Sequence, residues 1–137
     1  MTLKYRKVEY YNIAVQGHIA EGSRLLTTIA DSGVDFLAYK AIPIEQNRTR
    51  FTLFPIDGSK LKDVAMKAGL ELDGPYFAVI VTGDEKAGAL AEIYRKLSQT
   101  GIHVEESSGI AHINGGYGVI LYLKQEDCDE ALKALSN

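Results

Sequence analysis

The chain has 137 residues, 46% apolar and 24% charged, a globular composition that suits one domain or two small units sharing a core. Its net charge of −3, from 15 basic and 18 acidic side chains with no single-sign block, does not favour polyanions such as nucleic acid. A single cysteine, Cys128, excludes an internal disulfide and a thiolate metal cluster.

The N-terminus, MTLKYRKVEYYN, lacks the apolar core of a signal peptide. No apolar run approaches the roughly 18 residues that span a bilayer. The expected location is therefore the cytoplasm, with no membrane partner.

In chain order, TLKYRKVEYYNIAVQ is long for one strand. Its end, YYNIAVQ, reads as the first strand, and residues near 3–7 as an extra edge strand that completes the second half. The loop GHIAEG follows, from Gly17 to Gly22, and then the helix pattern SRLLTTIADSG, with Leu25, Leu26 and Ile29 on one face. Gly33 is placed to end that helix in a left-handed conformation. The strand VDFLAYKAIPI, the polar turn EQNRTR and the strand FTLFPI come next. The helix SKLKDVAMKAGL closes the first half, with Leu61, Val64, Ala65 and Ala68 at i, i+3, i+4 and i+7. Only ELDGP separates it from the second half.

The second half repeats the order. YFAVIVT leads into the loop GDEKAG, whose Gly83 and Gly88 echo Gly17 and Gly22 at a distance of 66 residues. The helix pattern ALAEIYRKLSQTG places Leu90, Ile93, Tyr94 and Leu97 on one face and ends at Gly101. IHVEESSGIAHI, a turn at Asn114-Gly115 and YGVILYLK read as a hairpin. EDCDEALKALSN closes the chain as a helix with Cys128, Ala131, Leu132 and Leu135 on its apolar stripe. Cys128 is thus expected as a packed core thiol.

Both halves read β-α-β-β-α, so the expected fold is α+β: two ferredoxin-like βαββαβ units, residues 1–74 and 75–137, each an antiparallel sheet with its helices on one face. In this topology the second strand lies at a sheet edge, where Pro43 can be tolerated.

The strand–loop–helix junctions resemble phosphate-binding loops only superficially. Such a loop needs Lys and then Ser or Thr directly after its last glycine. Gly88 is followed by Ala89 and Leu90, Gly22 by Ser23 and Arg24, and the second loop carries Asp84 and Glu85, which repel phosphate. What remains is a helix N-terminus, whose free N–H groups favour a carboxylate, beside acidic residues that could receive an ammonium group. Together these describe a zwitterion such as a free amino acid. The plainer reading is that both glycines only let the chain turn.

The segment DEKAGALAEIYRKLSQTGIHVEE resembles the start of an ACT domain, with Gly88, Leu90, Gly101 and Ile102 fitting the family pattern and His103 in a slot often held by Asn. The first half resembles it through Gly33-Val34, with Asp35 in the Asn slot and Ala20 at the position of the loop glycine. The resemblance covers nearly the whole chain as two tandem copies. It implies an amino-acid-binding regulatory module that pairs with another copy. Its ligand contacts would be Gly83, Asp84, Glu85, Lys86, Gly88, Ala89, Leu90 and His103, with His18, Ala20, Gly22 and Asp35 as the first-half set. GAL at 88–90 also resembles the loop of phenylalanine-sensing ACT domains, which carry ESRP in the second strand; here ESSG at 106–109 is partly alike and about two positions out of register. The resemblance further implies no cofactor, no catalysis, a homodimer, and a separate enzyme or regulator as partner.

Other functions rest on thinner patterns. The three histidines, His18, His103 and His112, are scattered and lack the clustering of a metal or catalytic site. GGYGVILY at 115–122 partly matches the third-strand signature of RNA-recognition motifs through Gly116, Tyr117, Gly118 and Tyr122. Gly115 stands where that signature has Lys or Arg, and Val119 where it has an aromatic. An RNA binder, or an interaction module without ligand, are thus the alternatives to an amino-acid sensor.

Overall fold

The computed structural model describes residues 4–17, 19–84 and 88–136. Among them are six strands and four helices: β1 (Lys4–Gln16), α1 (Ile19–Asp31), β2 (Phe36–Ile44), β3 (Arg48–Pro55), α2 (Gly58–Ala68), β4 (Asp73–Gly83), α3 (Ala89–Ser98), β5 (Glu106–Ala111), β6 (Tyr117–Tyr122) and α4 (Gln125–Leu135). The fold is the expected α+β, ferredoxin-like and ACT-like arrangement. None of the described helices is long and apolar enough to cross a membrane.

The chain forms two compact units, one of residues 9–76 and one of residues 4–8 with 77–136. The division differs from the expected 1–74 and 75–137 because β1 and β4 each contribute residues to both units. In the first unit β2, β3 and β1 lie in that order, all antiparallel, with Ala41 opposite Phe51 and Phe51 opposite Ile13. The opening residues of β4, 73–76, supply the strand beyond β1. Tyr76 stacks on Tyr10 with ring centroids 5.5 Å apart. In the second unit the order is β4, β6, β5, with Ser107 opposite Leu121 and Leu121 opposite Val79. Residues 4–8 of β1 are the fourth strand that the sequence placed near 3–7, with Leu3 outside the described residues. Tyr5 packs against this unit's core, and the Lys7 ammonium lies 4.9 Å from the Phe77 ring centre.

Each core lies between one sheet face and two helices. In the first unit Tyr11, Ile13, Phe51 and Leu53, alternate residues of β1 and β3, meet Leu25 and Ile29 of α1 and Leu61 of α2. In the second, Val79, Val81, Val119 and Leu121 meet Ile93 and Leu97 of α3 and Cys128, Ala131 and Leu135 of α4. Cys128 is fully buried there, and burial pushes its thiol up from the usual range.

Several boundaries moved for local reasons. α1 starts at Ile19, one turn before Ser23, because Gly22 belongs to its buried stripe. β3 begins at Arg48, the hairpin turn being closed by Gln46 and Asn47 at φ 60° and 57°. The Gln16 amide holds that turn by donating to the Gln46 carbonyl at 2.9 Å. Residues 102–105 are irregular rather than strand. Gly33 and Gly101 follow their helices at φ 80° and 77°, in the left-handed conformation expected of them. Pro43 sits opposite Thr49 on the edge strand β2, where a missing N–H is tolerated.

Candidate functional site

In the second unit β4 ends at Gly83 and α3 begins at Ala89. Gly88, the N-cap, has φ 83° with open space around it, so the residue is required by conformation rather than by crowding. Glycine has no side chain to bond the first N–H groups of the helix. α2 differs: its N-cap Asp57 accepts from the backbone N–H groups of Ser59 and Lys60 at 3.0 and 3.2 Å. Asp57 thus closes its own helix end, and the Ser59 hydroxyl and the Lys60 N–H hold its carboxyl below the ordinary range. In the first turn of α3, Glu92 is paired with Arg95 at 2.6 Å.

Gly83 lines a cavity of about 410 Å³ with Ile110, His112, Ile113 and Tyr117. A Cβ at 83 would fall 2.9 Å from the Tyr117 hydroxyl, so the strand end packs tightly against that ring. Asp84, Gly88 and Leu90 are exposed and Ala89 is half-buried. Glu85 and Lys86 lie outside the described residues, as does His18.

His103 is exposed and follows the other end of α3. Ten helical residues span about 15 Å. One unit therefore does not bring His103 and the Gly88 end of α3 to the same small ligand. The first unit repeats the separation: Ala20 and Gly22 lie in the first turns of α1, whereas Asp35 follows its far end, exposed, with its carbonyl accepting from the Ile56 N–H at 2.9 Å. Ala20 is exposed; Gly22 is buried, and a Cβ there would fall 2.7 Å from Phe51 Cζ. At the strand end, Gly17 is pinned on both sides. Its N–H donates to the Asn47 carbonyl at 2.6 Å, and its carbonyl accepts from the Thr49 hydroxyl at 2.8 Å.

The larger opening was not anticipated from sequence. A groove of about 760 Å³ runs between α1 and the edge strand β2 of the first unit, with Phe51 of β3 contributing to its lining. Its lining includes Ile19, Leu26, Tyr39, Ala41 and Pro43 and, among the described residues, contains no charged side chain. The available signal was the alternation Leu37, Tyr39, Ala41, Pro43, which sets an apolar row on one face of a strand that the topology leaves at the edge.

Two rival chemistries can be placed. Among the described residues no group of three or more His, Cys, Asp or Glu could hold a metal ion. Tyr117, the leading aromatic of the RNA-type signature, packs against the helix-side core. Alternation along β6 puts it on the helix-facing side with Val119 and Leu121.

No family model and no curated protein matches the chain. Solved structures do. Protein BT0572 from Bacteroides thetaiotaomicron aligns over 96% of this chain and 88% of its own, at TM-score 0.81 and 14% identity. The ligand-free regulatory subunit of aspartate kinase from Thermus thermophilus aligns over 98% and 94%, at TM-score 0.64 and 14% identity. Aspartate kinase of Clostridium acetobutylicum, an allosteric enzyme, aligns over 97% of this chain and 33% of its own, at TM-score 0.57 and 14% identity. At these identities the likeness is one of fold: the chain has the fold of regulatory, ACT-like domains.

Proposed function

We propose that the chain is a regulatory protein of two tandem ACT-like units that binds a free amino acid or similar small zwitterion. It carries out no catalysis, and signals through a separate enzyme or regulator, or through its own dimeric state. The carrying observation is the junction of β4 and α3, where Gly88 leaves a helix N-terminus without a side-chain cap, and where the strand end at Gly83 lines a cavity with the β5–β6 hairpin. The N–H groups there suit a carboxylate. The fold shared with regulatory subunits of aspartate kinase supports the same reading. By linkage, any signal is limited to the difference in ligand affinity between two states of the protein.

A ligand that binds only the folded chain raises its melting temperature. A thermal-shift screen over all proteinogenic amino acids is expected to give at least one hit, and a flat screen would count heavily against the proposal. His103→Ala refines it: since His103 lies beyond the far end of α3, loss of the hit would mean a ligand shared between copies.

A second reading, an interaction module without ligand, draws on Ile110 and Ile113, which are 79% and 94% exposed beside the hairpin turn. It expects the flat screen together with a concentration-dependent dimer.

A further inference from the structure

The two units can be compared residue by residue. Ala41 lies opposite Phe51, which lies opposite Ile13; Ser107 lies opposite Leu121, which lies opposite Val79. The repeat that sets Gly83 66 residues after Gly17 also sets Val79 after Ile13, so Ala41 and Ser107 are counterparts, as are Phe51 and Leu121. Seven residues before Gly33 and Gly101, the glycines that follow α1 and α3, stand Leu26 and Tyr94. In the second unit Tyr94 reaches from α3 to β5, where its hydroxyl is hydrogen-bonded to that of Ser107. In the first unit the counterparts Leu26 and Ala41 are both shorter, make no such bridge, and line the open groove.

We infer that the groove between α1 and β2 binds the apolar side chain of a small ligand, of the size of one aromatic ring, and that Tyr94 occupies the matching place in the second unit. The inference rests on reading the chain as a binder of free amino acids, and adds a site within the first unit, separate from the β4–α3 junction, together with the kind of side chain it takes. The molecule itself supplies the example of the occupant: a phenol ring spans the same helix-to-edge-strand gap when tyrosine is present. The lining agrees with that chemistry. Phe51 and Tyr39 offer ring surface and Leu26 an aliphatic wall, so an aromatic guest gains both burial and ring contact. A charged side chain would find no countercharge among the described lining residues and would lose hydration on entry.

The test is titration calorimetry on the full chain with two probes: L-phenylalanine, and p-cresol, which is the side chain of tyrosine alone. The variant Leu26→Tyr/Ala41→Ser transplants the second unit's bridge into the groove and is expected to weaken both probes by about tenfold or more. The reverse variant, Tyr94→Leu/Ser107→Ala, is expected to add a second site for p-cresol, a gain that misfolding cannot imitate. Binding of both probes unchanged by Leu26→Tyr/Ala41→Ser would overturn the inference while leaving the amino-acid reading intact. If p-cresol behaves as expected and no amino acid binds, the groove stands and the amino-acid reading fails. If neither probe binds, or if Leu26→Tyr/Ala41→Ser instead turns a dimer into a monomer in sedimentation, the groove is not a ligand site and the inference falls.

Discussion

Gly22 of α1 and Phe51 of β3 approach so closely that a Cβ on residue 22 would fall 2.7 Å from Phe51 Cζ. Helix propensity alone favours Ala over Gly by about 1 kcal/mol. Forcing a methyl group against a ring that is only 6% exposed costs about 1–3 kcal/mol. Gly22→Ala is therefore expected to destabilise the protein in urea unfolding, and Gly22→Ala/Phe51→Leu to recover part of the loss, since Leu121 fills the counterpart position. A more stable Gly22→Ala single variant would refute this packing account.

Residues 4–8 complete the second unit, so its stability should depend on them. Tyr5 is partly buried against that core, and Tyr5→Ala is expected to cost about 1–2 kcal/mol. Amide hydrogen exchange should quicken along β4 and β6. Asp129→Asn, which removes the partner of Lys7 at 3.8 Å, should change little, because Asp129 is 86% exposed. Unaltered exchange in Tyr5→Ala would mean that this segment adds nothing to the second unit.

Asp57 links pH to stability. Its folded carboxyl titrates below the ordinary 3.8, chiefly through the Ser59 hydroxyl and then the Lys60 N–H. A depressed carboxyl stabilises the fold above the unfolded value, and the contribution is lost as pH falls through the folded one. Asp57→Ala should therefore lower Tm at neutral pH, and the gap to the wild type should narrow as the solution is acidified below about 3.8. A gap of constant size from pH 7 to pH 2 would contradict the ionic part of this cap.

Cys128 is fully buried, its Sγ lies 3.6 Å from the Lys124 carbonyl oxygen, and burial raises its pKa. Its thiol should resist an aromatic disulfide reagent at neutral pH and react only through opening of the fold, at a rate that rises with denaturant. Immediate reaction in native buffer would place the thiol at the surface.

Much of this architecture was legible in the sequence because it rests on local repetition. Leu61 and Val64–Ala65, or Ile93, Tyr94 and Leu97, recur at helical spacing, and the glycines at 33 and 101 end helices wherever they stand in space. The β-α-β-β-α order of each half follows from these signals. So does the edge position of β2, from Pro43 and the topology.

The rest depended on contacts that no local pattern encodes. Gly22 looked like a loop residue until the ring of Phe51, distant in sequence, was found against it. The fourth strands come from the ends of β1 and β4, with Tyr5 packed against the second unit's core and Tyr76 stacked on Tyr10. His103 and Gly88 share a short sequence window, yet they lie beyond opposite ends of α3, a helix about 15 Å long. The sequence by itself determined the repeat, the helices and the glycine-marked junctions, because hydrophobic period and backbone freedom act over a few residues. Only the tertiary structure decided that the groove beside α1 stands open while Tyr94 bridges its counterpart, because whether space is filled depends on side chains brought together from separate elements.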